Sequence, residues 1–221
     1  MTVVTIRGQL GSGAPEIGRL VAERLKADYV DREIIADVAE RVQRSSLEIE
    51  AKEQPPVTLA GRILAAFAHV PPSSGPGGYQ AAYVPTWELP LDDASYKNTL
   101  IGVIKELALD PAIVIRGRGS QFILKDHPDA FHVLTVAPLA TRITRVMQHE
   151  NLDEAAARKE IDLFDKSRRA FIRRYFRANL EDPIHYDLVI NTEHLGFEAA
   201  ATLIARALDL RTSSQDAINA V

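Results

Sequence analysis

Eight consecutive residues near the start carry the first sign of chemistry: Gly8-Gln9-Leu10-Gly11-Ser12-Gly13-Ala14-Pro15. Their spacing follows G-x-x-x-x-G-K-[ST], the pattern of a loop that surrounds phosphate. Glycines let successive amide N–H groups turn inward onto oxygen atoms, and the helix that follows adds the positive end of its dipole. The side-chain half of the pattern is missing, with Ala14 at the lysine position and Pro15 at the hydroxyl position. Backbone binding of an anion needs only glycine geometry, so Gly8, Gly11, Ser12, Gly13, Ala14 and Pro15 remain candidate phosphate-binding positions. A glycine turn that merely packs strand against helix is the plainer alternative. Any cation facing the outer phosphates has to come from elsewhere.

A source exists further along. Arg158 to Arg177 holds eight Lys or Arg residues against three Asp or Glu, in a chain whose net charge is −4. Asp162, Lys166, Arg169 and Arg173 are spaced by four, three and four, which puts them on one helical face. Phe164, Phe171 and Tyr175 lie mainly on another, where they would hold the helix down while the charges project. Guanidinium groups bind phosphate oxygens in pairs, so this face suits phosphoryl chemistry. The alternatives are a solvated helix with ion pairs such as Asp162–Lys166, and an RNA-contacting helix, which the acidic net charge disfavours. Arg116 and Arg118 flank Gly117 in a glycine turn, where packing does not call for two arginines. They read as acceptor-phosphate or base contacts, or as surface charge. Asp31 is a candidate acid or the N-cap of the helix after it. The six histidines show no metal spacing, and with no cysteine and no HExxH a zinc site is not expected.

These residues need a frame. Val3 to Ile6 is β-branched and suits a buried parallel strand, and Glu16 to Lys26 is helical, with Ile17, Leu20, Val21 and Leu25 on one face. Pro15 fits the first turn, where its missing N–H costs nothing. Tyr29-Val30 is a second strand ending at Asp31, and Arg32 to Val42 a second helix. Leu59 to Phe67 has helical character. Pro71 to Pro90, with its PPSSGPGG run, reads as a surface loop, a lid or a contact with a second copy in a homodimer. A helix from about Asp93 to Leu109 leads to the apolar strand Ala112–Ile115. Strand Phe131–Val136, helices over Leu139–His149 and Leu152 to about Arg177, strand Leu188–Ile190 and helix Phe197–Leu208 complete the pattern, with a frayed tail after Arg211. Strands alternating with helices predict one domain over 1–221 with a five-stranded parallel sheet wrapped on both faces. Its core covers about 1–44 and 93–211, with an insertion at about 45–92 and the basic segment at about 152–180.

Composition narrows the classes. Apolar residues at 46% and charged residues at 25% are ordinary for a globular domain. The absence of cysteine excludes disulfides, thiolate metal sites and cysteine nucleophiles. No apolar run nears the roughly 20 residues of a membrane span. The start shows no signal-peptide pattern, so a cytoplasmic location is expected.

Three segments together resemble the bacterial cytidylate-kinase-like family: Ile6 to Ile17 with Tyr29-Val30-Asp31-Arg32-Glu33, then Ile113 to Gly119, then Asp165 to Arg169 through Tyr186 to Thr192. Their order and separation cover nearly the whole chain except about Pro71 to Pro90. The family commonly lacks the loop lysine, so Ala14 does not count against membership. The resemblance implies a P-loop three-layer α/β/α fold with a helical acceptor-side insertion and a basic helical lid. It implies phosphoryl transfer from ATP, with Mg²⁺ arriving on the nucleotide, to a nucleoside monophosphate such as cytidylate. Asp31 becomes the acid near the acceptor phosphate, and Arg32 a contact to that phosphate. Lys166, Arg169 and Arg173 become lid cations, with Lys166 standing in for the loop lysine. Arg142, Arg145 and Asn191-Thr192 fall near the donor base. The partners expected are small nucleotides, with no nucleic acid and no membrane. The alternatives are an inactive nucleotide-binding sensor or assembly protein, suggested by Ala14 and Pro15, and a partner-binding α/β protein with no nucleotide site.

Overall fold

The computed structural model describes residues 2–31, Ile35 and 93–219. Arg32, the expected helix Arg32–Val42 and the whole insertion at about 45–92, with Leu59–Phe67 and Pro71–Pro90, therefore lie outside the described residues.

Five strands form one parallel sheet: β1 (Thr2–Gly8), β2 (Asp28–Val30), β3 (Ala112–Arg116), β4 (Ala130–Val136) and β5 (Leu188–Asn191), in the order β2-β3-β1-β4-β5. Six α-helices accompany them among the described residues: α1 (Ala14–Leu25), α2 (Asp93–Leu107), α3 (Ser120–Ile123), α4 (Leu139–Glu150), α5 (Glu154–Phe176) and α6 (Phe197–Asn219). The sheet is apolar on both faces because both are covered. Val4 and Ile6 of β1 join Ile17 and Val21 of α1 and Ile204 of α6 in one core. Val3 of β1 joins Ile113 and Ile115 of β3 and Leu100 and Ile104 of α2 in the other, with Phe171 and Tyr175 of α5 against it. A third cluster gathers Leu10, Ile143 and Val146 around Ala157 and Ile161, with Phe164 packed on it. The aromatic stripe of the basic helix thus holds α5 down as its spacing requires.

The tail differs from the expectation. Helix α6 does not end near Leu208 but continues to Asn219. Arg211 ties it to the sheet by donating to the carbonyls of Ala130 at 2.5 Å and Pro128 at 2.7 Å. Thr212 and Ser213 then bond back to the carbonyls four residues earlier. The hydroxyls of Thr212 and Ser213 are thus satisfied by the helix itself.

One polar contact inside the sheet carries a pH dependence. His132 of β4 is buried, with its Nδ1 2.7 Å from the Thr5 hydroxyl of β1. Burial lowers its pKa below 6.5, and Arg211 and His127 act in the same direction against Asp187. The unfolded chain then binds more protons than the folded one below about pH 6.5, so stability falls as pH falls through that value. Urea unfolding of wild type and His132→Gln between about pH 7 and 5 checks this. The wild-type midpoint should drop with pH, and the variant should lose part of that slope.

Candidate functional site

The glycine loop sits at the carboxyl end of β1, where open parallel sheets bind ligands. Gly11 and Gly13 have φ of 80° and 86°, a backbone that only glycine adopts without strain. A Cβ on Gly13 would lie 2.3 Å from the Phe197 ring. Every loop carbonyl from Gln9 to Gly13 accepts a hydrogen bond. Gln9 O accepts from the Ser12 amide at 3.0 Å and hydroxyl at 2.7 Å. Leu10 O accepts from Arg142 at 3.3 Å, Gly11 O from Arg145 at 3.2 Å and Ser12 O from the Thr192 hydroxyl at 2.9 Å. Gly13 O accepts from the Ile17 amide at 2.9 Å, in the first turn of α1.

The amides are divided differently. Gln9 donates to Thr135 O at 3.3 Å and Leu10 to the Asp165 carboxylate at 3.3 Å. Those of Gly11, Gly13 and Ala14 take no hydrogen bond among the described residues, and no side chain caps α1. With carbonyls turned out and these amides left over at a helix start, the loop is a concave donor surface suited to an anion. Pro15 contributes neither N–H nor hydroxyl. The Ser12 hydroxyl is buried and shared with Thr135 at 2.8 Å, so Ser12 shapes the loop through its side chain. Arg142, Arg145 and Thr192, expected near a donor base, hydrogen-bond the loop carbonyls. Arg145 also donates to Thr192 Oγ1 at 2.9 Å and Thr192 O at 2.6 Å, and lies 5.0 Å from the Phe197 ring. It still borders a recess with Gly11, Gly13, Gln148 and His149.

Asp31 and Arg116 are brought together by register: Val30 pairs with Ile115, so the next residues are neighbours at the strand ends. Arg116 Nε donates to Asp31 Oδ2 at 2.8 Å and its Nη2 to Oδ1, a bidentate buried pair. Tyr29 donates its hydroxyl to Asp31 Oδ2 at 3.1 Å, and burial pushes that phenol upward, so it stays a donor. The Asp31 carbonyl accepts from Ile35 N at 3.0 Å, as the first turn of a helix requires. Arg118 has φ of 52° between Gly117 at 85° and Gly119 at 75°. Three successive left-handed residues hold it on this rim, in a conformation that costs a non-glycine residue roughly 1 kcal/mol.

Of the basic face on α5, Lys166 points to solvent and pairs with Asp162 at 2.6 Å, the i,i+4 contact its spacing allowed. Arg169 pairs with Glu181 at 3.2 Å and borders a recess with Arg173, Arg177 and Asn179. Two residues with clear roles escaped the sequence reading. Asp165, on the buried side of α5, pairs with Arg142 at 2.7 Å while accepting from Leu10. Arg7, one residue before Gly8, is buried, and burial lowers its pKa to about 10. The available signal for Arg7 was a charge inside an otherwise apolar strand.

The cytidylate kinase-like family model matches residues 3–194. The cytidylate kinase of Staphylothermus marinus is 26% identical over 58% of this chain and 67% of its own length. A uronate isomerase of Corynebacterium glutamicum is 33% identical, but over 41% of this chain and 18% of its own length. The chain spans roughly half to two-thirds of the curated cytidylate kinases it matches. A crystal structure from Eubacterium ventriosum superposes with a TM-score of 0.67 at 18% identity, over 95% of this chain and 99% of that one, which shows the fold.

Removing one member of the Arg142–Asp165 pair leaves a buried charge uncompensated. Asp165→Asn should lower unfolding free energy by about 3–5 kcal/mol. Asp165→Leu combined with Arg142→Met should cost much less, and chemical denaturation of the two proteins checks the difference.

Proposed function

Because the chain belongs to the cytidylate kinase-like family, we propose that it transfers a phosphoryl group from ATP to a nucleoside monophosphate, with cytidylate the first acceptor to test. The observation that carries this reading is the loop whose carbonyls are all engaged, three of them by Arg142, Arg145 and Thr192 from outside it, while the Gly11, Gly13 and Ala14 amides remain at the start of α1. That polarity fits a chain of phosphates, and ATP supplies the transferable group while Mg²⁺ shields its oxygens.

Each part of the chain then has a task. The loop amides and the α1 dipole hold the donor phosphates. Arg118, presented by its left-handed turn, contacts the acceptor phosphate. Asp31, oriented by Arg116 and Tyr29, positions the attacking oxygen of the acceptor. Arg169 and Arg173 neutralise charge that grows in the transition state, where phosphoryl transfer depends on fixed cations more than on covalent chemistry. Lys166 is the weakest member of this set, because its charge is already shared with Asp162 in solvent.

A second reading, nucleotide binding without turnover, is favoured by one observation: the loop offers Ala14 and Pro15 where lysine and a hydroxyl would act. Release of ADP from Mg·ATP with CMP, dCMP, UMP, AMP or GMP separates the two. Acceptor-dependent release is expected, with kcat reduced about 100-fold in an Arg169→Ala, Arg173→Ala double variant. Lys166→Ala should change it less than about threefold, as an exposed pair contributes little. Saturable ATP binding with no acceptor-dependent release would favour the inactive reading.

A further inference from the structure

Neither the loop nor the lid accounts for Arg7. It occupies the carboxyl end of the central strand β1, immediately before Gly8 and between β3 and β4. Of the other buried residues of β1, Val3, Val4 and Ile6 are apolar and fully packed, and the one polar side chain, Thr5, has its hydroxyl 2.7 Å from His132 Nδ1. Arg7 is enclosed as they are, yet its Nε has no hydrogen-bond partner. Two acids act on it electrostatically, Asp165 and Glu181, and each is already paired with another arginine. Arg142 holds Asp165 and Arg169 holds Glu181. Three guanidinium groups thus share two carboxylates, and Arg7 is the one left over.

Its polar neighbour is the Tyr186 hydroxyl, which is neutral. That hydroxyl donates to Leu180 O at 2.6 Å and accepts from Gln121 at 3.1 Å and from Arg7. A guanidinium buried with a neutral hydroxyl and no carboxylate of its own is among the costlier things a fold can hold, and an aliphatic side chain would serve packing better. Arg7 and Arg169 also repel each other, a repulsion that an anion near both would remove. The loop amides begin within a few residues of Arg7, and a planar guanidinium grips tetrahedral oxyanions in pairs.

We propose that Arg7 is a phosphate-binding residue, the fixed cation at the base of the glycine loop that takes the place of the lysine absent at Ala14. Its N–H groups donate to oxygens of the phosphoryl group under transfer. The inference rests on the phosphoryl-transfer reading and names the cation that reading lacks. Arg7 remains charged at neutral pH even with its pKa lowered to about 10.

The test is calorimetric titration of Mg·ATP and of inorganic tripolyphosphate into wild type, Arg7→Met and Arg7→Lys, with thermal melts of each free protein. Wild type should bind both ligands, and Arg7→Met should bind each about 10- to 100-fold more weakly. Free Arg7→Met should melt at or above wild type, since an unpaired buried charge has gone, and its melting point should rise less with ligand. Arg7→Lys, which keeps the charge but loses the fork, should fall between the two in affinity. Equal affinity of all three proteins would overturn the role of Arg7 and leave the phosphoryl-transfer reading standing. So would an Arg7→Met protein that melts far below wild type while Arg7→Lys restores its fold but none of its affinity. Wild type that binds neither ligand would overturn both.

Discussion

The peptide groups flanking Leu10 are gripped from two sides, and much of the site depends on that grip. Asp165 of α5 takes the Leu10 amide, Arg142 of α4 takes its carbonyl, and the two side chains pair with each other at 2.7 Å. An ion pair taken out of water gains little net stability, but its geometry is demanding, because each charge tolerates few alternative partners. Here that demand joins three elements that are remote in sequence. The loop cannot shift without breaking contact with α4 and α5, and α5 cannot slide without moving the loop. Arg145 and Thr192 extend the same arrangement to Gly11 and Ser12. The carbonyls are drawn outward one after another, and the amides that remain define an anion site before any ligand arrives.

The sheet beneath shows the same division between packing and charge. Apart from the Thr5–His132 contact, its strands are apolar through the interior and become polar at their carboxyl ends, where Arg7, Asp31, Arg116, Thr135 and Thr192 gather from all five strands. Parallel register lines these ends up, so residues unrelated in sequence become neighbours, as Asp31 and Arg116 do. Arginine predominates over acid around the loop. Asp165, Asp31 and Glu181 are each taken by an arginine, and Arg7 is left with a neutral hydroxyl. A rim built this way is short of negative charge, which suits the phosphate groups of the proposed substrates.

What could be read from the sequence follows the range over which each signal acts. Apolar runs and helical stripes are local, so the five strands, their alternation with helices and the packing role of Phe164, Phe171 and Tyr175 were legible. The loop was legible because glycine spacing encodes its backbone. Asp31 and Arg116 could be placed on the rim, but their pairing required strand order, which β2 and β3 acquire only by folding. Asp165 was hidden among three acids of a basic helix, since its partner Arg142 lies 23 residues away on another helix. Lys166 shows the reverse case: its partner Asp162 was visible at four residues' distance, and the structure holds that local pair. The tail was misjudged because serine and threonine read as helix-breaking until Arg211 anchors the helix to β4.

A phosphate loop without its lysine changes how charge can be delivered. A lysine on the loop belongs to the same rigid unit as the amides, so it meets the phosphates as they bind. Here Ala14 and Pro15 leave the loop with backbone donors alone, one fewer than usual because proline has no N–H, though its fixed φ favours the start of α1. On α5, Arg169 is bound to Glu181, so in the proposed reaction it can act only by exchanging that partner for phosphate. A cation rooted in β1 needs no such exchange. Preorganised charge is worth more in a water-poor site because it costs no reorganisation at the moment of reaction. On the proposed reading, the architecture separates two duties that one lysine usually combines: a static charge rooted in the sheet, and a second set on α5 in which Arg169 engages by giving up an existing partner.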